Sequence, residues 1–186
     1  MTAETFFNPQ HPVTLIAIGD SGEAMTLRLI LESLGAFVSF YRIGTPGDFV
    51  SVLSSAKDPG NLTVISAHGN NGGFHFGDYA PQIDTSLLKS GVFVPSSVPG
   101  IGKLSRKTFL STACETGSSE MRSAFLEAGA DAYVAPERDP EGRDIPVFVH
   151  LFAHGLLAKG LTVSAAFDAA CDAVKDAGMV LAQSAS

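Results

Sequence analysis

Phe109-Leu110-Ser111-Thr112-Ala113-Cys114-Glu115-Thr116-Gly117 and its companion Val64-Ile65-Ser66-Ala67-His68-Gly69 decide the reading of this chain. Each is an apolar, β-branched run that ends on a reactive residue type and meets a glycine soon after. Parallel α/β sheets present catalytic groups in this way, at the carboxyl ends of their strands. One run offers a thiol and the other an imidazole. A cysteine nucleophile with a histidine partner follows as the leading reading.

The same pattern extends in both directions. Residues 13–18 are continuously apolar, which fits a strand buried on both faces. Gly19-Asp20-Ser21-Gly22 turns the chain into an amphipathic helix, capped by Asp20 or Ser21 and closed by Gly35. A strand at 36–42 and a short helix over 48–56 follow, then an Asp58-Pro59-Gly60-Asn61 turn. Residues 62–67 form the third strand and 107–112 the fourth. Between them lies a small hairpin arm at 74–76. The prolines, serines and glycines of 81–106 predict a long irregular stretch on the surface beside the site. Ser118 or Ser119 caps a helix to about Ala128, stopped by Gly129, and 131–135 is strand five. Two helices, about 145–158 and 163–177, close the fold. This β-α-β alternation predicts a three-layer α/β sandwich with a mostly parallel sheet of about five or six strands. The chain, 1–186, reads as one domain with its core over about 10–177.

Composition narrows the partners. The chain has 45% hydrophobic and 17% charged residues, with a net charge of -7. It is globular, and its acidity disfavours nucleic acid and anionic membranes. Lys103, Arg106 and Lys107 come closest to a basic cluster and read as a solvated turn. The start of the chain lacks a secretory pattern, and no apolar run reaches the ~18 residues of a spanning helix. The two cysteines sit in unrelated contexts, so a structural disulfide is not expected and a reducing cytoplasm fits.

Three residues near the predicted rim carry chemistry. The helix after Cys114 would favour thiolate through its positive end, while the charge of Glu115 works against it. Gly69 leaves its amide exposed and, with the amide of Cys114, would donate to a developing oxyanion. Asp20 ends strand one, either as a helix cap or as a carboxylate that attracts a basic substrate side chain. Other patterns carry less. The glycines at 19 and 22 lack the lysine of a phosphate loop. His150 and His154 have metal-ligand spacing without an acidic or cysteine partner. No cofactor or metal is expected; no calcium-loop pattern is visible.

Ser66-Ala67-His68-Gly69 and Ser111-Thr112-Ala113-Cys114-Glu115-Thr116-Gly117 resemble the two signature blocks of the caspase-like cysteine peptidases, most closely the CHAT-type branch. Ala124–Val134 resembles the helix and strand after the cysteine block, and 147–152 and 165–170 its closing helices, so the likeness covers roughly residues 10–177. It implies a nucleophilic Cys114, a proton-transferring His68 and an oxyanion hole that includes Gly69. It also implies cleavage after Arg or Lys, set by Asp20, with Arg138 and Arg143 as self-processing sites in a charged loop. The substrate would be a protein or peptide. One departure is the absence of tryptophan: CHAT domains commonly carry one just after the strand matching 131–135, where this chain has Ala135-Pro136. A caspase-fold binding module with a vestigial dyad is the alternative, and a small-ligand-binding flavodoxin-like domain is a second.

Overall fold

The computed structural model describes residues 10–19, 22–55, 60–70, 72–102, 104 and 107–184. The expectations for Asp20, Ser21, Asp58, Pro59, Lys103 and Arg106 therefore lie outside the described residues.

Six strands make the central sheet: β1 (His11–Ile18), β2 (Ala36–Ile43), β3 (Leu62–Ser66), β7 (Thr108–Ser111), β8 (Ala132–Pro136) and β9 (Met179–Gln183). Three short strands, β4 (Gly69–Asn70), β5 (Gly73–His75) and β6 (Val92–Phe93), form a separate antiparallel sheet. The large sheet runs β2-β1-β3-β7-β8-β9, parallel except for β9. Every residue of β3, β7 and β8 is buried, as a parallel sheet covered on both faces requires. The predicted α/β sandwich is the observed architecture.

Helices α1 (Gly22–Ser33), α4 (Asp144–Ala153) and α5 (Val163–Ala173) cover one face, where Leu27, Leu31, Phe148 and Phe152 pack on Val13, Leu15, Val64 and Leu110. On the other face lie α2 (Pro46–Leu53), α3 (Ser119–Glu127) and the small sheet. There an aromatic cluster forms: Phe49 meets Phe74 and Phe93 edge-on, and Phe125 packs on Phe109 and Tyr133. Such pairs add about 0.5–1.5 kcal/mol each beyond the area they bury.

Two expectations need correction. The 81–106 segment is not simply surface: Phe93, Val98, Ile101 and Leu104 are buried in the aromatic face. A 3-10 stretch, Pro95–Ile101, carries two of these side chains inward. The two helices do not end the fold either. α5 stops at Ala173, and Gly178, at φ 57°, turns the chain into β9, which pairs antiparallel with β8. The helix expected over about 145–158 is present, as α4 to Ala153 followed by one π-helical turn, His154–Ala158.

Candidate active site

The strand register places both reactive residues on one rim. β3 pairs with β7 so that Ile65 stands opposite Ser111. The chain leaves each strand within three residues of that pair, at His68 and at Cys114. The two turns touch. A Cβ on Gly69 would overlap the Cys114 carbonyl oxygen and lie 2.6 Å from its carbonyl carbon and 2.7 Å from its nitrogen. Only glycine permits that approach. The backbone of His68 is held from the other side, its carbonyl accepting from the His75 N–H at 2.9 Å. Its imidazole-bearing residue is exposed, and Cys114 is half-buried.

Buried hydroxyls shape the cysteine turn. Ser111 Oγ and Thr116 Oγ1 lie 2.8 Å apart, Ser111 Oγ accepts from the Ala113 N–H at 3.1 Å, and Thr116 Oγ1 donates to the Ala113 carbonyl at 2.7 Å. Tyr133, fully buried on β8, donates its hydroxyl to the Thr116 carbonyl at 3.2 Å. Burial pushes the Tyr133 hydroxyl's pKa well up, so it stays a donor. Glu115 takes φ 61°, an uncommon left-handed conformation for a residue with a side chain, and donates its N–H to the Arg138 carbonyl at 3.0 Å. α3 begins only at Ser119, with Ser118 capping the Met121 N–H at 3.2 Å.

The thiol itself is not activated in this state. Cys114 Sγ donates to Asp139 Oδ1 at 2.9 Å. Burial pushes the thiol pKa up to about 11, and the Asp139 carboxylate adds to the rise through its hydrogen bond and its charge, with Glu115 contributing in the same direction. The expected helix-end lowering is outweighed. The reason is local: four residues separate Cys114 from α3, whereas a carboxylate sits on the sulfur.

One further carboxylate belongs to the site. Glu23, in the first turn of α1, accepts from Ser66 Oγ at 2.9 Å and from Thr112 Oγ1 at 3.0 Å through the same oxygen. Desolvation raises its pKa, while the two hydroxyls and nearby His68 pull it back. Neither Glu23 nor Asp139 stood out in the sequence. The available signal was the matched spacing of Ser66 before His68 and Thr112 before Cys114.

Asp20 lies outside the described residues. Arg138 and Arg143 are both exposed in the loop that carries Asp139, and Arg143 pairs with Glu141 at 2.6 Å. His150 and His154 stand with ring centroids 6.3 Å apart, and among the described residues no group of three or more His, Cys, Asp or Glu is placed to hold a metal. Cys114 and Cys171 are both free thiols. No described helix is long and apolar enough to cross a membrane. A cavity of about 510 Å³ is lined by Pro99, Gly102, Ala124, Glu127, Ala128 and Gly129, none of them a dyad residue.

No family model matches the sequence. No curated protein sequence matches it either. Solved structures do match. Caspase-1 from Spodoptera frugiperda superposes with a TM-score of 0.52 at 14% identity, covering 95% of this chain and 88% of that one. The structure of drICE gives a TM-score of 0.46 at 13% identity over 95% and 93% of the two chains. A CheY-like receiver domain from Methanospirillum hungatei gives 0.40 at 19% identity over 73% and 88%. Of these three, only the Spodoptera caspase exceeds half on that scale, and at this identity it speaks for the fold. The chain has a caspase-like three-layer α/β fold.

Proposed function

We propose that this chain is a cysteine endopeptidase of caspase type, nearest to the CHAT branch, with a His68–Cys114 dyad. The observation that carries the reading is the contact of Gly69 with the Cys114 backbone, which brings the histidine and cysteine turns together at adjacent strand ends. In the reaction His68 takes the thiol proton and Cys114 Sγ bonds to the scissile carbonyl carbon. The Gly69 and Cys114 N–H groups receive the oxyanion. His68 then protonates the leaving amine, and water hydrolyses the acyl-enzyme to regenerate the thiol. No cofactor takes part.

The preferred residue before the scissile bond is Arg or Lys, attracted by Asp20 and by a protein of net charge -7. The substrate is a peptide or protein segment, not a nucleic acid or a membrane. Two free cysteines suit a reducing cytoplasm. Arg138 and Arg143 are the self-processing sites. A cut after Arg138 would detach Asp139 from β8 and free the thiol, so the state described above is the latent one.

The thiol pKa of about 11 supports a second reading, a caspase-fold peptide-binding module with an unused dyad. An acyloxymethyl-ketone probe carrying Arg separates the two, because it needs a working nucleophile and an occupied cleft. In the Asp139→Asn protein, where the latching carboxylate is gone, mass spectrometry should find the probe on Cys114 and not on Cys171, although both are half-buried. Equal iodoacetamide labelling of both cysteines with no probe adduct would leave the binding module.

A further inference from the structure

Glu23 does more than begin a helix. Its Oε2 receives Ser66 Oγ, from the last residue of β3, and Thr112 Oγ1, from the residue just beyond β7. Ser66 precedes His68 by two residues and Thr112 precedes Cys114 by two, with an alanine between in each case. Both hydroxyl-bearing residues are buried, at 1% and 5% exposure, so their alternatives to this carboxylate are few. Two strand ends therefore converge on one oxygen. Any slip of β3 against β7 lengthens one of the two bonds. The carboxylate stands at the point where the chain order reverses, since β1 leads through α1 to β2 on one side and pairs with β3 on the other. The first turn of α1 favours a negative charge there.

We propose that Glu23 is the positioning residue of this site, holding the ends of β3 and β7 at one spacing and so fixing the separation of His68 from Cys114. The catalytic consequence rests on the peptidase reading; the spacing itself does not.

Glu23→Gln keeps an oxygen that accepts both hydroxyls, whereas Glu23→Ala removes it. On a peptide with Arg before the scissile bond, Glu23→Ala should lose about tenfold or more in kcat with KM held within about twofold, because a small misplacement of reacting groups acts on the chemical step. Glu23→Gln should stay within about threefold of wild type. Adding Ser66→Ala and Thr112→Val to Glu23→Ala should cost nothing further, since the three side chains act as one unit. Should Glu23→Ala not fold, the Ser66→Ala/Thr112→Val protein breaks the same two bonds and takes its place.

A second arm needs no turnover. In Cys171→Ser protein carrying His68→Cys, mild oxidation should join position 68 to Cys114 on the order of tenfold faster with Glu23 than with alanine there, because the clamp raises the effective concentration of one thiol at the other. An unchanged disulfide rate, or a glutamine variant as impaired as the alanine one, overturns the clamp. A protein without turnover even after the Asp139→Asn change or a cut after Arg138 sinks the peptidase reading and leaves the disulfide rates to decide the role of Glu23.

Discussion

Replacing Asp139 with asparagine should raise the rate at which iodoacetamide alkylates Cys114 by about tenfold near neutral pH. The thiolate is the reacting species, and the pKa of this thiol stands at about 11 instead of 9.0. Two units correspond to about a hundredfold less thiolate at a pH well below both values. Burial is the first cause of the rise and persists in the variant, while the hydrogen bond to a carboxylate and its charge are removed. Asparagine therefore restores only part of the two decades. The sign shows in the pH profile. The rate for the wild type should keep climbing with pH toward about 11, and the profile of Asp139→Asn should reach its midpoint at lower pH. Cys171 in the same protein is the internal control, because Asp139 is not among the groups acting on it. Superimposed profiles would show that Asp139 does not restrain the thiol. For the peptidase reading the consequence is direct: the segment carrying Asp139 must leave the sulfur before attack. A cavity of about 370 Å³ between this loop and residues 175–180 gives it room to move.

Gly69→Ala should cost more than any other single methyl group in the site. The added carbon would meet backbone atoms of Cys114, which cannot rotate away as a side chain can. Relief requires the ends of β3 and β7 to part, which strains a wholly buried sheet region. Overpacking of this kind costs about 1–3 kcal/mol. For a chain of this size that lowers Tm by roughly 2–4 °C per kcal/mol. The kinetic loss should be larger, on the order of a hundredfold, since displacement of about an ångström is enough to uncouple reacting groups. Gly142→Ala is the control: it lies in the loop that carries Asp139, with nothing within 4 Å of the added carbon. Thermal unfolding and peptide hydrolysis on the two variants check this. A Gly69→Ala protein with wild-type Tm and rate would contradict the packing of the two turns.

The buried strands were legible because burial on both faces writes itself as an unbroken apolar run. β3, β7 and β8 come close to that, with only the small hydroxyl residues Thr63, Ser66, Thr108 and Ser111 among their apolar ones, and the ends of β3 and β7 gave His68 and Cys114. β9 escaped because it is an edge strand with mostly half-buried residues, reached by a glycine turn that a helical pattern masks. The 81–106 segment looked like surface because its buried side chains, Phe93, Val98, Ile101 and Leu104, follow no helical or strand period. Phe93 is carried by a two-residue strand and Val98 and Ile101 by one 3-10 stretch, and Leu104 follows outside any regular element. The polar partners were illegible for a different reason. Glu23 and Asp139 reach the site from 43 and 25 residues away, and local spacing carries no trace of such contacts. Ser111 and Thr116 were in view within the cysteine block, yet their use as the frame of its turn depends on Tyr133 from the next strand.

Hydrolysis of fluorogenic peptides varied at the position before the scissile bond, with wild type and Cys114→Ala in parallel, tests the central claim most directly. Once Asp139 is removed or the chain is cut after Arg138, turnover after Arg or Lys should appear and fall to background in Cys114→Ala, with His68→Ala reduced at least on the order of a hundredfold. Equal rates with and without Cys114 in that state, or no turnover even after the Asp139→Asn change or a cut after Arg138, would contradict the claim.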